Sequence, residues 1–300
     1  MREFVRGYAA AVFETAQSAG RLDTARDDLV GFARALNASD KLRLVLTDPM
    51  NSTTTRRAIV AELLAGKATP ETAALFSFAV RVERPAELPV CVAVLVELAE
   101  DECRRAASRV AVEMEPAAAR GAIRERIRGY GERVFQELSA PRQMDEVEDE
   151  LFAIARLIDA NRSLRQTLGD ANRPLSGRIA VVDDLFGSAC HLPTVRMVRY
   201  VLRAGQVRDL VGTLGWLVEL AAAERGRRVA AVRSAVVLRP AEKKRIGAAL
   251  SRIVERDVEV RAIIDPTVIG GILVSVGDLV IDGTVRLRVE RLRDLLAQTS

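Results

Sequence analysis

The sequence predicts a multi-domain α plus α/β fold, in which two homologous six-helix bundles are followed by a small α/β domain. The supporting observations are an internal repeat offset by 122 residues, helical spacing of apolar residues in both copies, and alternating spacing after residue 228. At 300 residues, 49% of them hydrophobic, the chain is long enough for two or three cores. The predicted boundaries are 1–112 for the first bundle, 113–122 for a linker, 123–227 for the second bundle and 228–300 for the α/β domain.

The repeat is visible both in short motifs and in longer apolar patterns. Arg6-Gly7-Tyr8 recurs 122 positions later as Arg128-Gly129-Tyr130, and Val12-Phe13 recurs as Val134-Phe135. Two apolar stripes are related by the same offset: Leu22, Ala25, Leu29, Phe32, Ala33 and Leu36 in the first copy, and Met144, Val147, Leu151, Ile154, Ala155 and Ile158 in the second. Each stripe has the i, i+3, i+4, i+7 spacing of an amphipathic helix. Helical solenoids repeat every 34 to 47 residues or so, which makes this offset the duplication of a whole domain.

Helix-breaking residues divide each copy into about six helices. In the first copy they are Ser18-Ala19-Gly20, Asn37-Ala38-Ser39, Asp48-Pro49, Gly66-Lys67 and Arg84-Pro85. The hydroxyl side chains of residues 52–55 are placed to cap the fourth helix. Neither copy shows the period-2 pattern of a strand, and the predicted linker contains Pro116 among small residues.

The remaining part of the chain follows a different pattern. Val232, Ser234, Val236 and Leu238 alternate with their neighbours and predict a strand, after which Pro240 starts a helix. A second alternating run, 258–264, predicts another strand, and residues 271–281 predict a hairpin closed by Gly277-Asp278. From Thr284 the spacing is helical again. The predicted order is therefore strand, helix, strand, hairpin, helix.

Composition and charge favour solvated helix surfaces. The net charge is +4 and the isoelectric point about 9.2, but the 45 basic and 41 acidic residues are interleaved along the chain. A basic helical adaptor that binds nucleic acid is the alternative from another class, and it would need a one-sided basic stripe. Cys91, Cys103 and Cys190 lack paired metal-ligand spacing and indicate a reducing compartment. His191, the only histidine, is expected in a loop without a metal.

No motif for catalysis or for a cofactor is present in the sequence. It contains no phosphate-binding glycine loop, no nucleophile elbow and no zinc-protease motif, and an independent hydrolase would need a nucleophile and a base that it does not supply. The structural turns are assigned to Gly270, Gly271, Gly277, Asp278, Asp282 and Gly283. The first residues do not resemble a signal peptide, and no run of 18 uncharged apolar residues predicts membrane insertion. Because the sequence contains no motif for a cofactor or for zinc, we expect neither cofactor nor metal.

Residues 265–296, DPTVIGGILVSVGDLVIDGTVRLRVERLRDLL, resemble the C-terminal signature of the δ subunit of bacterial F-type ATP synthases, a family that includes the mitochondrial oligomycin-sensitivity-conferring protein. Residues 238–260 are similar to the helix and strand that precede this signature, and residues 6–16 to the first helix of the family. Residues 123–300 thus follow the order of one complete member. The extra copy in residues 1–112 resembles the long form of high-GC Gram-positive lineages, which is sometimes fused to a b-type segment; we expect no such fusion here.

The resemblance implies a non-catalytic stator subunit, peripheral on the cytoplasmic face of the cell membrane, that joins the catalytic head to the b stalk. It implies that an α-subunit N-terminal helix binds between the first and fifth helices of a bundle. The residues so assigned are Tyr8, Val12, Leu75, Phe78 and Ala79 in the first copy, and Tyr130, Val134, Met197, Tyr200 and Val201 in the second. Contact with the b stalk is assigned to Val285, Val289, Leu292 and Leu296.

The fifth helix of the first copy is expected to be covered by other helices on more than one side. Residues 72–82 are apolar on nearly every side, whereas the second-copy counterpart carries three arginines. This favours a groove in the first copy that accepts a partner helix. The alternative is that Phe76 and Phe78 pack against the second bundle.

Overall fold

A computed structural model describes residues 3–108, 120–138, 140–205, 209–224, 227–254, 257–268, 270–276, 279–285 and 287. Within these ranges the chain is mostly helical, with thirteen α-helices and a small four-stranded sheet near the C-terminal end. The chain divides into two compact units, residues 1–214 and 215–300.

The first part of the chain forms six α-helices. They are α1 Glu3–Ser18, α2 Leu22–Ala38, α3 Asp40–Thr47, α4 Thr53–Leu64, α5 Pro70–Val82 and α6 Leu88–Ser108, with a 3-10 turn Pro85–Glu87 before α6. Side-chain caps start several of them, since Ser39 and Ser52 accept hydrogen bonds from the backbone N–H of Leu42 and Thr55 at 3.2 and 3.1 Å. The predicted cap of the fourth helix is thereby confirmed.

A second series of six α-helices follows. They are α7 Arg120–Glu137, α8 Pro141–Ala160, α9 Arg162–Gly169, α10 Leu175–Phe186, α11 Leu192–Arg203 and α12 Leu210–Glu224. The helices α9 to α12 begin 122 residues after α3 to α6, respectively. Asn161, 122 positions after Ser39, caps α9 as Ser39 caps α3. Residues 120–122, which the sequence assigns to the linker, form the first turn of α7, and residues 113–119 lie outside the described ranges.

The apolar stripes predicted for the second helix of each copy face the interior. In α2 the buried side chains are Leu22, Ala25, Leu29, Phe32 and Leu36, and Ala33 packs beside them. In α8 they are Val147, Leu151, Ile154, Ala155 and Ile158, and Met144 at the start of the stripe is only half-buried. The amphipathic interpretation of both stripes is confirmed. The part of the chain before Arg227 that the structure describes contains helices and turns and no strand.

The second unit is built around a sheet. Besides residues 215–224 of α12, it contains β1 Arg227–Ser234, α13 Pro240–Val254, β2 Asp257–Ile264, β3 Ile272–Val276 and β4 Leu279–Asp282. The strand order is β2-β1-β3-β4, with β1 parallel to β2 and antiparallel to β3, and with β3 and β4 antiparallel. The core of this unit contains Ala230, Val232, Leu238, Leu250, Val274 and Val276. The predicted order strand, helix, strand, hairpin is confirmed.

The first predicted strand is shorter than its alternating pattern suggests. β1 ends at Ser234, whose side-chain oxygen accepts a hydrogen bond from the backbone N–H of Val236 at 3.3 Å. This local hydrogen bond turns the chain out of the sheet. Val236 and Val237 are consequently exposed.

The turn residues around the hairpin hold residues 283–285 close to the start of β3. Gly271 has φ +82°, and an added Cβ would overlap the carbonyl oxygen of Gly283, so only glycine fits. Gly270 accepts from the N–H of Val285 at 2.9 Å, and the Asp282 carboxylate accepts from the N–H of Thr284 at 2.8 Å. Gly277, Asp278 and most of the predicted last helix lie outside the described residues.

Candidate helix-binding surfaces

The predicted α-subunit contacts form two surfaces, one in each copy. The first surface comprises Tyr8, Val12, Leu75, Phe78 and Ala79 on α1 and α5; the second surface comprises Tyr130, Val134, Met197, Tyr200 and Val201 on α7 and α11. All ten side chains are at most 3% exposed. They are therefore covered by the chain itself, by the packing within each copy together with the contact between α1 and α7.

Two glycines allow α1 and α7 to touch along their backbones. A Cβ added at Gly7 would lie 2.6 Å from the carbonyl carbon of Arg126, and one added at Gly129 would lie 2.9 Å from that of Phe4. Both positions leave no space for a methyl group, because carbonyl groups of a helix cannot move aside. The two contacts are equivalent, since Gly7 and Gly129 are 122 residues apart, as are Phe4 and Arg126.

A stacked aromatic pair lies in each surface. The rings of Tyr8 and Phe78 are 3.7 Å apart with an interplanar angle of 11°, and those of Tyr130 and Tyr200 are 3.8 Å apart at 7°. The first helix is thereby fixed to the fifth helix in each copy. Phe4 adds an edge contact to Phe78, with ring centroids 5.0 Å apart.

The tyrosine hydroxyls of the two copies make reciprocal hydrogen bonds. Tyr8 donates to Oε1 of Gln136 on α7 at 2.9 Å, and Tyr130 donates to the carboxylate of Glu14 on α1. Gln136 and Glu14 are again 122 residues apart. Burial raises the pKa of both Tyr8 and Tyr130, so both hydroxyls stay protonated and remain donors at neutral pH.

Arginines from α5 and α11 place positive charge at the rims of the contact. Arg81 forms an ion pair with Glu132 of α7. Arg196 pairs with Glu14 at 3.4 Å and with Glu137 at 2.9 Å. Burial acts to lower the pKa of Arg196, but Tyr130 and the two carboxylates outweigh it and raise the pKa. The guanidinium of Arg196 is therefore charged. At each surface the helix from the other copy supplies a carboxylate to an arginine: Glu132 of α7 to Arg81, and Glu14 of α1 to Arg196.

The ten predicted residues lie on α1, α5, α7 and α11, whereas the polar and glycine positions that join α1 to α7 are not predicted from the sequence. Gly7 and Gly129 have a detectable signal, because glycine inside a helix costs about 1 kcal/mol relative to alanine and yet occurs at the same place in both copies. Glu14 and Gln136 carry no comparable signal, since each stands among other polar residues. Phe76, which the alternative assigned to the second bundle, has its ring 4.1 Å from that of Phe32 in the first copy.

The predicted stalk contacts fall mainly outside the described residues. Val285 is 43% exposed, whereas Val289, Leu292 and Leu296 are not among the residues that the structure describes. Other exposed apolar side chains of the second unit are Val236, Val237, Ile253, Ile264 and Val280. This unit therefore offers apolar surface in addition to Val285.

The groups that most often support catalysis have structural roles here. The exposed His191 has Nδ1 2.7 Å from Glu150 Oε1, and Glu150 also accepts from the His191 N–H and from the Thr194 hydroxyl at the start of α11. Burial raises the pKa of the Cys91 thiol to about 12, so this cysteine is not an activated nucleophile. Among the described residues, no three His, Cys, Asp or Glu side chains are grouped to hold a metal ion. Nor does any described helix meet the length and apolarity needed to cross a bilayer.

Comparison with known proteins identifies the family. The sequence model of the ATP synthase delta (OSCP) subunit family matches residues 5–120 and 127–296. The chain is 33% identical to the ATP synthase subunit delta of Parafrankia sp. (strain EAN1pec), over 89% of this chain and 84% of that protein. It is 32% identical to the ATP synthase subunit delta of Salinispora tropica, over 99% of this chain and 93% of that protein.

Among solved structures, a chain of the Toxoplasma gondii mitochondrial ATP synthase hexamer aligns with 57% of this chain and 96% of its own length. The TM-score is 0.38 and the identity 12%. The family match extends over both helical series and the sheet, and the two relatives align over most of their length. The chain therefore belongs to the ATP synthase delta (OSCP) subunit family, as a non-catalytic stator subunit of that complex.

Proposed function

We propose that this chain links the catalytic head of a proton-translocating F-type ATP synthase, through N-terminal helices of its alpha subunits, to the b stalk on the cytoplasmic face of the membrane. The family match carries this proposal, because residues 127–296 alone include most of α7, the helices α8–α12 and the sheet. Such a subunit prevents the head from turning with the rotor. That task requires tight docking of helices and no chemistry.

The domain organisation is part of the proposal. We infer two homologous six-helix bundles, 1–112 and 123–227, joined by a linker at 113–122 and followed by a stalk-binding domain at 228–300. In support, the two matched segments begin at residues 5 and 127, which are 122 positions apart. The starts of α9 to α12 follow those of α3 to α6 by the same number.

The first and second surfaces are the proposed binding sites for alpha-subunit helices. Stacked aromatic rings, buried aliphatic side chains and rim arginines are features of sites that hold an amphipathic helix. Both surfaces are covered by the chain itself, as described above, so binding there requires that α1 and α7 separate. The stalk site is proposed for Val285 with Val289, Leu292 and Leu296.

Co-purification from cells that express the full chain with an affinity tag tests the linking role. We expect alpha, beta and b subunits in the eluate. A matched deletion of residues 284–300 should remove b and retain alpha and beta. Recovery of nucleic acid in place of these subunits would support the adaptor alternative, which the interleaved arginine–carboxylate pairs do not favour, and recovery of b with the deleted chain would refute the stalk site.

A further inference from the structure

We propose that each surface accepts a partner helix only in exchange for the helix of this chain that covers it, which is α7 at the first surface and α1 at the second. Such a partner helix carries a small residue followed, seven positions later, by a hydrogen-bond acceptor. The alpha-subunit helix of the proposed function is the intended occupant, and to that extent the inference rests on that function. The pattern itself comes from the two helices that occupy the surfaces in this chain.

The small residue is required because the incoming helix touches a backbone. On the first surface the incoming helix is α7. Gly129 of this helix lies against the carbonyl of Phe4, and a Cβ added at Gly129 would lie 2.9 Å from the backbone nitrogen of Tyr8. On the second surface the incoming helix is α1, and Gly7 lies against the carbonyl of Arg126. A larger side chain at either position would separate the helix axes and open the aromatic contact.

The acceptor is required because each surface presents a buried tyrosine hydroxyl. Gln136 accepts from Tyr8 on the first surface, and Glu14 accepts from Tyr130 on the second. Each acceptor follows the glycine of its own helix by seven residues, which is about two helical turns and therefore the same side of the helix. A helix without an acceptor there would leave the hydroxyl buried without its partner.

The incoming helix also brings negative charge to an arginine. Glu132 meets Arg81 at the first surface, and Glu14 meets Arg196 at the second. The partner helix is therefore expected to carry a carboxylate that reaches Arg81 or Arg196, which complements the charge of that arginine.

Exchange follows from the burial of the surfaces. No side chain of either set is more than 3% exposed, so no second helix fits while α1 and α7 are in contact. A helix tethered in the same chain competes at an effective concentration of about millimolar. A free helix can bind only to chains in which α1 and α7 have separated. Its apparent affinity is therefore reduced in proportion to the fraction of such chains.

A labelled peptide with the sequence of residues 120–137 tests the exchange on the full-length chain. We expect weak binding to the wild type and binding about tenfold tighter or more to the Gly129→Ala chain, whose own α7 no longer fits while the peptide still does. The matched control is Gly177→Ala, because Gly177 in α10 has no atom within 4 Å of an added Cβ. It should bind as the wild type does. A peptide with Gly129→Leu and Gln136→Leu should not bind to any form.

A crosslinked chain provides the second arm. Thr15 and Glu137, whose side chains are hydrogen-bonded at 2.6 Å, are replaced by cysteine in a background of Cys91→Ala, Cys103→Ser and Cys190→Ser, and joined by a short thiol crosslinker. The crosslinked form should lose binding of the peptide and of a synthetic alpha-subunit N-terminal peptide, whereas its unlinked form retains it. Should Gly129→Ala fail to fold, Gln136→Ala replaces it with a smaller expected increase in affinity.

Equal binding of the peptide by crosslinked and unlinked chains would overturn the exchange, as would equal binding by wild type and opened variants. Binding of the doubly leucine-substituted peptide would overturn the recognition pattern. The co-purification experiment decides the linking function separately, because it does not depend on the α7 peptide.

Discussion

Single residues at the α1–α7 contact combine close approach with reciprocal polar bonds. Gly7 and Gly129 bring the helices together, and Tyr8 and Tyr130 each donate a hydrogen bond across the contact. The glycine and the tyrosine are adjacent in both copies, within the repeated Arg-Gly-Tyr motif. One short motif therefore supplies both the space and the donor.

Replacement of Gly7 by alanine should destabilise the chain by about 1–3 kcal/mol, because the methyl group overlaps a backbone carbonyl and forces α1 away from α7. Alanine at Gly31, a helical position with nothing within 4 Å, should instead stabilise by up to about 1 kcal/mol through helix propensity. Urea unfolding followed by circular dichroism measures both. Similar shifts for the two variants would contradict the close contact.

Removal of a tyrosine hydroxyl should cost more at position 130 than at position 8. Tyr130 donates to the Glu14 carboxylate, and hydrogen bonds to charged groups are worth about 1.5–3 kcal/mol, whereas Tyr8 donates to a neutral amide, for which about 0.5–1.5 kcal/mol is typical. Tyr130→Phe and Tyr8→Phe compared by urea unfolding give the two values. The reverse order would show that Glu14 does not act as the acceptor in solution.

At the scale of helices and strands, local signals in the sequence predict most of the architecture. Apolar spacing predicts the buried faces of α2 and α8, and side-chain caps mark helix starts, because both depend on residues within one or two turns. The partner that covers α1 and α5 is not predictable in this way. Tyr8 and Phe78 give the same pattern whether a helix of another subunit or α7 lies on them. The early end of β1 at Ser234 is a further case, since alternation continues past the point where the chain leaves the sheet.

The contact between α8 and the start of α11 should respond to pH through His191. Hydrogen bonding to Glu150 raises the pKa of His191 above its ordinary value of about 6.5. Because the pKa is higher in the folded chain, the resulting stabilisation is complete below about pH 6.5 and is lost as pH rises through the raised pKa. An NMR titration of the imidazole protons should show the raised pKa, and Glu150→Gln should bring it back towards the ordinary value. An unchanged titration in Glu150→Gln would exclude this pair as the cause.

For the whole molecule, family membership indicates a docking subunit, and the interleaved charged groups do not favour a basic nucleic-acid adaptor. Arginines are paired with carboxylates at the α1–α7 contact and along helix surfaces, as in Arg26 with Asp23 and Arg142 with Glu146. The sequence predicts this role through its C-terminal signature, which short-range pattern rules alone would classify only as a hairpin followed by a helix.

The purified chain should neither bind nor hydrolyse ATP, because its sequence contains no phosphate-binding loop and its family acts without catalysis. Isothermal titration calorimetry with Mg-ATP should give no saturable heat up to about 1 mM nucleotide, which is the upper end of the usual range of enzyme KM values. The tagged complex that contains the alpha and beta subunits serves as the positive control. Saturable binding at micromolar concentration by the isolated chain would revive the enzyme hypothesis.

The contact of Gly7 and Gly129 with backbone carbonyls also restricts how the two copies can diverge. A clash between two side chains can be relieved by a smaller residue on the facing helix, but every residue has the carbonyl group that Gly7 meets at Arg126. No substitution in one copy therefore compensates for the loss of glycine in the other. A gene that encodes both copies is therefore expected to need a glycine codon at both positions, so that each half constrains the sequence of the other.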